Sequence, residues 1–172
     1  MPRAQNDWTI AHADEALVAA HTRSLLVLSW RTGADVSHVE RVAELQRTLV
    51  REGKGPLSVL NMFSLESAGG IPDELRTHGR ALYEEMSPHY FAQAYVVLGE
   101  GFWAAGIRAF LAAFNVLTAR RLETKTVARI EDAVTWMSTR PGQAPWMQSA
   151  GTDLAADIED LVVIGHTTSA VA

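Results

Sequence analysis

The segment Gly99–Ala104 has the Gly-x-Gly-x-x-Gly/Ala spacing of a dinucleotide-binding turn. In that motif the glycines let the backbone approach a pyrophosphate, and an acidic residue at the end of the next strand holds the ribose. Here Phe102 and Trp103 would crowd the phosphates, Glu100 would repel them, and only one predicted strand follows. We therefore interpret the segment as a tight turn from a strand into a helix and predict no cofactor.

The histidines are scattered, at positions 12, 21, 38, 78, 89 and 166. None belongs to a His-x-x-x-His or His-Glu-x-x-His motif. His12 and His21 fall on adjacent predicted strands, but neither has an acidic residue at the usual metal-ligand spacing. The chain also lacks cysteine and a Gly-x-Ser-x-Gly nucleophile turn. The sequence therefore predicts no metal site and no catalytic residues, and we expect no enzymatic activity.

Arg108 lies in the middle of the apolar segment Gly101–Ala119. An arginine on such a helix reaches the surface, pairs with an acidic residue or faces a pocket. Glu100 precedes it and Asn115 falls near the same face, so we favour an ion pair or a charge that faces a partner. An arginine that binds an anionic substrate in an enzyme is the less favoured alternative. The central charge also argues against a membrane span.

The composition is that of an ordinary globular protein and limits the kind of partner. The chain has 172 residues, 48% hydrophobic and 20% charged, which suits one domain with a tail. A net charge of −5 argues against nucleic-acid binding, which needs a concentrated basic surface. The absence of cysteine fits a reducing compartment, and no secretory signal is visible. We expect a cytoplasmic protein without a transmembrane segment.

Hydrophobic patterning predicts strands that alternate with helices after residue 24. The predicted strands are Trp8–His12, Leu17–His21, Leu25–Trp30, Leu57–Phe63, Phe91–Leu98 and Thr124–Ile130. The first helix begins at a capping box formed by Ser37 and Glu40. In the second helix Pro72 takes the first position, and the buried stripe is Leu75, Leu82, Tyr83 and Met86. The remaining helices are Gly101–Ala119 and Glu131–Met137.

This alternation predicts an α/β fold with a single mixed, mostly parallel sheet of about five to six strands and about four helices. The antiparallel strands lie at the N-terminus. The order resembles the STAS domain of bacterial anti-sigma factor antagonists, which has a SpoIIAA-like fold. Trp30–Asp35, Val59–Phe63 and Glu131–Trp136 resemble local features of that family, and the resemblance covers residues 7–138.

The resemblance implies a partner surface and raises the question of a phosphorylation switch. In that family the loop after the central strand carries Asp-Ser-Ser-Gly, and its second serine is phosphorylated. The matching segment Glu66–Gly69 has Ala68 at that position. Ser67 or Ser64 could take the phosphate instead, and the alternative is a plain flexible turn. The candidate partner-binding residues are Ser64, Glu66, Ser67, Asp73, Arg76, Arg80, Trp103 and Arg108.

The pattern changes after Arg140. We expect residues 1–140 to form the STAS-like domain and residues 141–172 to form a linker and an acidic amphipathic or disordered tail. Gln143–Ser149 reads as linker, and Trp146 either docks the tail back onto the domain or forms an exposed anchor. The helical face of the tail would carry Leu154, Ile158 and Leu161.

The sequence therefore predicts a non-catalytic regulatory module of the bacterial signalling type, which binds another protein or a second copy of itself. The alternative is a sensor domain that binds a small molecule or lipid, because related SpoIIAA-like folds include lipid binders. The aromatic-rich helix Gly101–Ala119 favours this alternative.

Overall fold

A mixed six-stranded sheet forms the centre of the molecule, with its strands in chain order. The structure is a computed structural model and describes residues 7–64, 72–99, 104–109, 111 and 122–167. Strands β1 to β3 pair antiparallel, and strands β3 to β6 pair parallel. The predicted α/β fold is confirmed. The strands are β1 (Thr9–Ala13), β2 (Leu17–Thr22), β3 (Leu25–Trp30), β4 (Leu57–Phe63), β5 (Tyr90–Val97) and β6 (Thr124–Val127).

Helices cover both faces of the sheet. The described helices are α1 (Val36–Arg51), α2 (Asp73–Met86), α3 (Ile130–Ser138) and α4 (Pro145–Thr167), and residues 104–109 and 111 are also helical. A 3₁₀ turn, Ser87–His89, joins α2 to β5. The α4 segment is kinked at Gly151, whose φ of 46° is outside the helical range. Among the residues described, no helix is long and apolar enough to cross a membrane.

The N-terminus of α1 differs from the prediction. Asp35, rather than Ser37, is the N-cap, and it forms a capping box with His38. Asp35 Oδ1 accepts hydrogen bonds from the backbone N–H of Ser37, 2.9 Å away, and from the Ser37 hydroxyl, 2.7 Å away. The Ser37 hydroxyl donates to Asp35, and the Asp35 carboxylate is a stronger acceptor than a hydroxyl. The helix therefore begins earlier than the Ser-x-x-Glu pattern suggests.

The connections place two groups of helices on opposite faces. Right-handed crossovers between successive parallel strands put the connecting helices on one face. There α1 and α2 pack on Leu28, Val59 and their neighbours, and the helical residues 104–109 and 111 pack on Tyr95 and Val97. Helices α3 and α4 follow the last strand and cover the other face. The core on that face includes Leu60, Met62, Val96, Met137, Met147, Leu154 and Ile158.

The segment Gln143–Ser149 is not the linker that its composition suggests. Pro145 starts α4, and Met147 is fully buried in the same core as the sheet. Trp146 packs against this core, with the guanidinium of Arg23 5.2 Å from its ring centroid. The prediction failed because two apolar side chains among small and polar residues are enough to dock a helix. Trp146 thus docks onto the sheet, and the predicted buried face of the following helix is confirmed for Leu154, Ile158 and Leu161.

Candidate ligand-binding site

Polar side chains interrupt the apolar face of the central strands. Leu28, Asn61 and Tyr95 are paired across β3, β4 and β5, so their side chains form one row on the same face of the sheet. Trp30 lies two residues after Leu28 in β3, so its side chain is on the same face. Its Nε1 donates a hydrogen bond to Asn61 Oδ1, 3.1 Å away. Tyr95 also stacks on Phe63, with 6.4 Å between the ring centroids. This row lies beneath α1 and α2, near the C-terminal ends of the parallel strands.

A side chain is missing from the apolar stripe of α2. Leu75, Leu82, Tyr83 and Met86 follow the helical spacing that the sequence predicts, and Gly79 occupies the middle of the stripe. A Cβ at Gly79 would meet no atom within 4 Å. The space left open beneath α2 belongs to a cavity of about 400 Å³. That volume lies within the range of small-molecule sites, roughly 300–1,000 Å³.

The cavity, named here the sheet–helix pocket, lies between the sheet and the two helices α1 and α2. Its floor is formed by β3, β4 and β5, and the loop 31–34 forms one wall. Open α/β sheets bind their ligands at the carboxyl ends of the parallel strands, which is where this pocket lies. Its apolar lining includes Leu28, Trp30, Val39, Val42, Phe63, Leu75, Leu82 and Leu111.

A few polar groups project into the apolar lining. The Tyr90 hydroxyl donates to Gln46 Oε1 at 2.7 Å, and both side chains are buried. Burial raises the pKa of the Tyr90 and Tyr95 phenols, so both are protonated at neutral pH. Gln93 Oε1 is buried and has no hydrogen-bond partner among the described residues. A buried acceptor without a partner costs free energy, and a ligand that donates to it would recover that cost.

Two of the predicted partner-binding residues line the mouth of the pocket. Arg76 pairs with Asp73, and Arg80 Nε lies 3.0 Å from Glu84 Oε1, all on the exposed side of α2. Such exposed pairs within one helix contribute little to stability. Of the predicted residues, Arg76 and Arg80 therefore lie at the pocket rim, and Asp73 pairs with Arg76.

The other predicted residues have different positions. The backbone N–H of Ser64 donates to Trp30 O at 3.2 Å, and the Ser64 hydroxyl is buried. Arg108 Nη1 lies 3.3 Å from Gly99 O and 3.4 Å from Val97 O, so this guanidinium binds carbonyls at the end of β5. Glu66, Ser67 and Trp103 lie outside the described residues.

The sequence analysis missed the pocket, although signals were present. Asn61 interrupts the apolar run of β4, and Gln93 does the same in β5. A polar residue on the covered face of a central strand needs a partner. Gly79 in place of an apolar side chain was the third signal. None of the three indicates a pocket until the strands are in register.

The fold and the pocket define an α/β protein with a largely apolar site at the C-terminal edge of its parallel strands. No protein-family model matches the chain, and no curated protein or solved structure matches it either. The STAS resemblance therefore stays a prediction, and function must be argued from the site itself.

Proposed function

We propose that this protein is a non-catalytic module that binds a small, mainly apolar molecule in the sheet–helix pocket. The observation that supports the proposal is a cavity of about 400 Å³ lined mostly by apolar side chains, with a few converging polar groups. This combination is typical of small-molecule sites. On the sheet side the polar groups include amides, an indole and protonated phenols, which donate and accept hydrogen bonds, and Arg76 and Arg80 lie at the rim. Their chemistry suits recognition.

The pocket also suggests which molecules fit. Its walls are apolar and aromatic, so the body of the ligand is apolar. The buried acceptor Gln93 Oε1 favours a ligand that carries a hydrogen-bond donor. A site with an unpaired buried group discriminates strongly against a ligand that lacks the matching group. We expect an aromatic or alicyclic molecule with one hydroxyl or N–H group.

A matched pair of probes tests this proposal. 2-Naphthol carries a donor, and 2-methoxynaphthalene has the same ring system without one. We expect saturable binding of 2-naphthol, measured by displacement of a fluorescent apolar dye, and roughly tenfold weaker binding of the methyl ether. In Gln93→Leu this preference should disappear. Equal binding of both probes by both proteins would refute the donor argument, and no binding of either probe would refute the proposed function.

Regulatory protein binding, the function predicted from the sequence, is the second candidate. The observation that favours it is the position of α2, which covers the pocket and carries the exposed Arg76 and Arg80 at its rim. A partner docked there would contact the helix that covers the pocket. Affinity purification from the native host tests this. A stoichiometric partner should be lost in the double variant Arg76→Glu/Arg80→Glu. It should be retained in the control Arg129→Glu, because Arg129 is the N-cap of α3, on the opposite face of the sheet.

A further inference from the structure

His12, Asp14 and His38 come from β1, the turn directly after it and α1, and they bring three donor atoms together. His12 lies on β1, Asp14 follows that strand, and His38 lies in the first turn of α1. Asp14 Oδ2 is 2.7 Å from His12 Nε2 and 3.2 Å from His38 Nε2. The donor atoms all lie within 4.8 Å of one another. These residues are named here the His–Asp cluster.

Neighbouring groups already hold two members of the cluster in place. Asp14 Oδ1 accepts hydrogen bonds from the backbone N–H groups of Ala16 and Leu17, at 2.9 and 2.8 Å. His38 Nδ1 lies 2.7 Å from Asp35 Oδ1. Metal-binding imidazoles and carboxylates almost always have such outer partners, which fix the ring orientation and the tautomer. The supporting contacts of a metal site are therefore present.

One ring nitrogen of His38 faces Asp14 and the other faces a supporting carboxylate. Nε2 lies 3.2 Å from Asp14 Oδ2, and Nδ1 lies 2.7 Å from Asp35 Oδ1. A histidine that binds a metal ion through one ring nitrogen almost always donates the proton on the other nitrogen to a carboxylate, a carbonyl or water. The ring of His38 is therefore placed to bind an ion through Nε2.

The cluster offers one carboxylate oxygen and two imidazole nitrogens, and all three are atoms that bind transition-metal ions.

We propose that the His–Asp cluster binds a divalent transition-metal ion of the Zn²⁺ type. Imidazole nitrogen and carboxylate oxygen are ligands that Zn²⁺ uses, at roughly 2.0–2.2 Å. Tetrahedral ligands at that bond length lie roughly 3.3 Å apart, which the Asp14 and His38 donors already satisfy. The Asp14 and His12 donors, 2.7 Å apart, would have to separate by about 0.6 Å to reach the same distance. The side chains are partly exposed, so a fourth position is open to water. The ion would join the β1–β2 turn to the N-terminus of α1.

Zn²⁺ binding to the untagged protein tests the proposal, by calorimetry and by NMR of the histidine rings. We expect one ion per chain with a Kd in the micromolar range or tighter, and shifts of the His12 and His38 ring resonances. At a hundredfold excess over Kd the Tm should rise by roughly 5–10 °C. Mg²⁺, which prefers oxygen ligands, should have no such effect.

Two variants each remove one part of the site. His12→Gln deletes one ligand and should weaken Zn²⁺ binding at least tenfold. Asp35→Asn keeps a good N-cap for α1 but removes the carboxylate behind His38, so we expect roughly tenfold to hundredfold weaker binding. His78→Gln, at a partly exposed histidine on α2 outside the cluster, is the control and should bind like the wild type.

Three outcomes would overturn the proposal: no saturable binding up to millimolar Zn²⁺, ring shifts confined to other histidines, or equal affinity in wild type, His12→Gln and Asp35→Asn. Circular dichroism shows whether each variant is folded. The wild-type NMR titration decides the question even if a variant does not fold.

Discussion

Filling the sheet–helix pocket from within should stabilise the protein and abolish ligand binding. The substitution is Gly79→Leu. Gly79 lies in the apolar stripe of α2, and a Cβ there meets no atom within 4 Å, so a larger side chain has room without moving the backbone. In most proteins a larger side chain in the core causes strain. Here we expect the larger side chain to raise the unfolding free energy instead, because the space that it fills is already open.

The magnitude has two parts. Fully burying a leucine side chain contributes roughly 1.5–3 kcal/mol, and we take about half of that because the pocket is open at its mouth. Replacing a glycine within a helix by a good helix former adds roughly 0.8 kcal/mol. The sum is about 2 kcal/mol, which for a chain of this size raises Tm by roughly 4–8 °C. Gly79→Ala isolates the helix contribution and should give at most about 1 kcal/mol.

The assay is urea unfolding combined with 2-naphthol titration of the same variants. Gly79→Leu should be more stable than Gly79→Ala and should no longer bind 2-naphthol, while Gly79→Ala should still bind. Ala81→Leu, an exposed position on the same helix, should change the unfolding free energy by less than about 0.5 kcal/mol. The reasoning is refuted if Gly79→Leu lowers stability by more than about 1 kcal/mol, or if it binds 2-naphthol like the wild type.

Three further predictions concern the core. Burial and the nearby charge of Lys54 lower the pKa of His21 below its ordinary 6.5, although Glu52 has the opposite effect. The unfolded chain therefore binds the proton more readily, and the unfolding free energy should fall as the pH drops below about 6.5. In urea unfolding at several pH values His21→Gln should lose this dependence, and a variant with the wild-type pH profile would contradict the prediction. Tyr90→Phe leaves the buried Gln46 Oε1 without its donor and should cost about 1–2 kcal/mol, whereas a neutral result would mean that water replaces the hydroxyl. Ile158→Ala should cost about 2–5 kcal/mol by the same unfolding assay, because Ile158 is fully buried against the sheet; a cost below about 0.5 kcal/mol would show that α4 is not part of the core.

The regular elements could be predicted where the hydrophobic pattern is dense. Strands β3 (Leu25–Trp30) and β4 (Leu57–Phe63) have the predicted bounds, because runs that are apolar on both faces have sharp ends. The last strand was predicted to extend to Ile130, but it ends at Val127. Ile130 instead begins α3 and is buried against the other face of the sheet. An apolar residue that starts a helix carries the same local signal as one that ends a strand.

The candidate sites could not be predicted in the same way, because each depends on contacts between distant residues. Asn61 lies beside Tyr95 only once β4 and β5 are in register. His12 and His21, which the sequence places on adjacent strands, are not neighbours: His12 pairs with Ala19, and His21 pairs with Thr9. A weak signal for the His–Asp cluster was present in His12-x-Asp14, which places two potential ligands two residues apart in the sequence.

The topology explains why the pocket and the His–Asp cluster lie at the same edge of the sheet. Strands β3 to β5 are parallel, so their C-terminal ends meet at one edge. Because β2 is antiparallel to β3, with Leu17 opposite Trp30, the turn that holds Asp14 is placed at that edge as well. The first turn of α1 connects the two sites, because His38 belongs to the cluster and the next residue, Val39, lines the pocket.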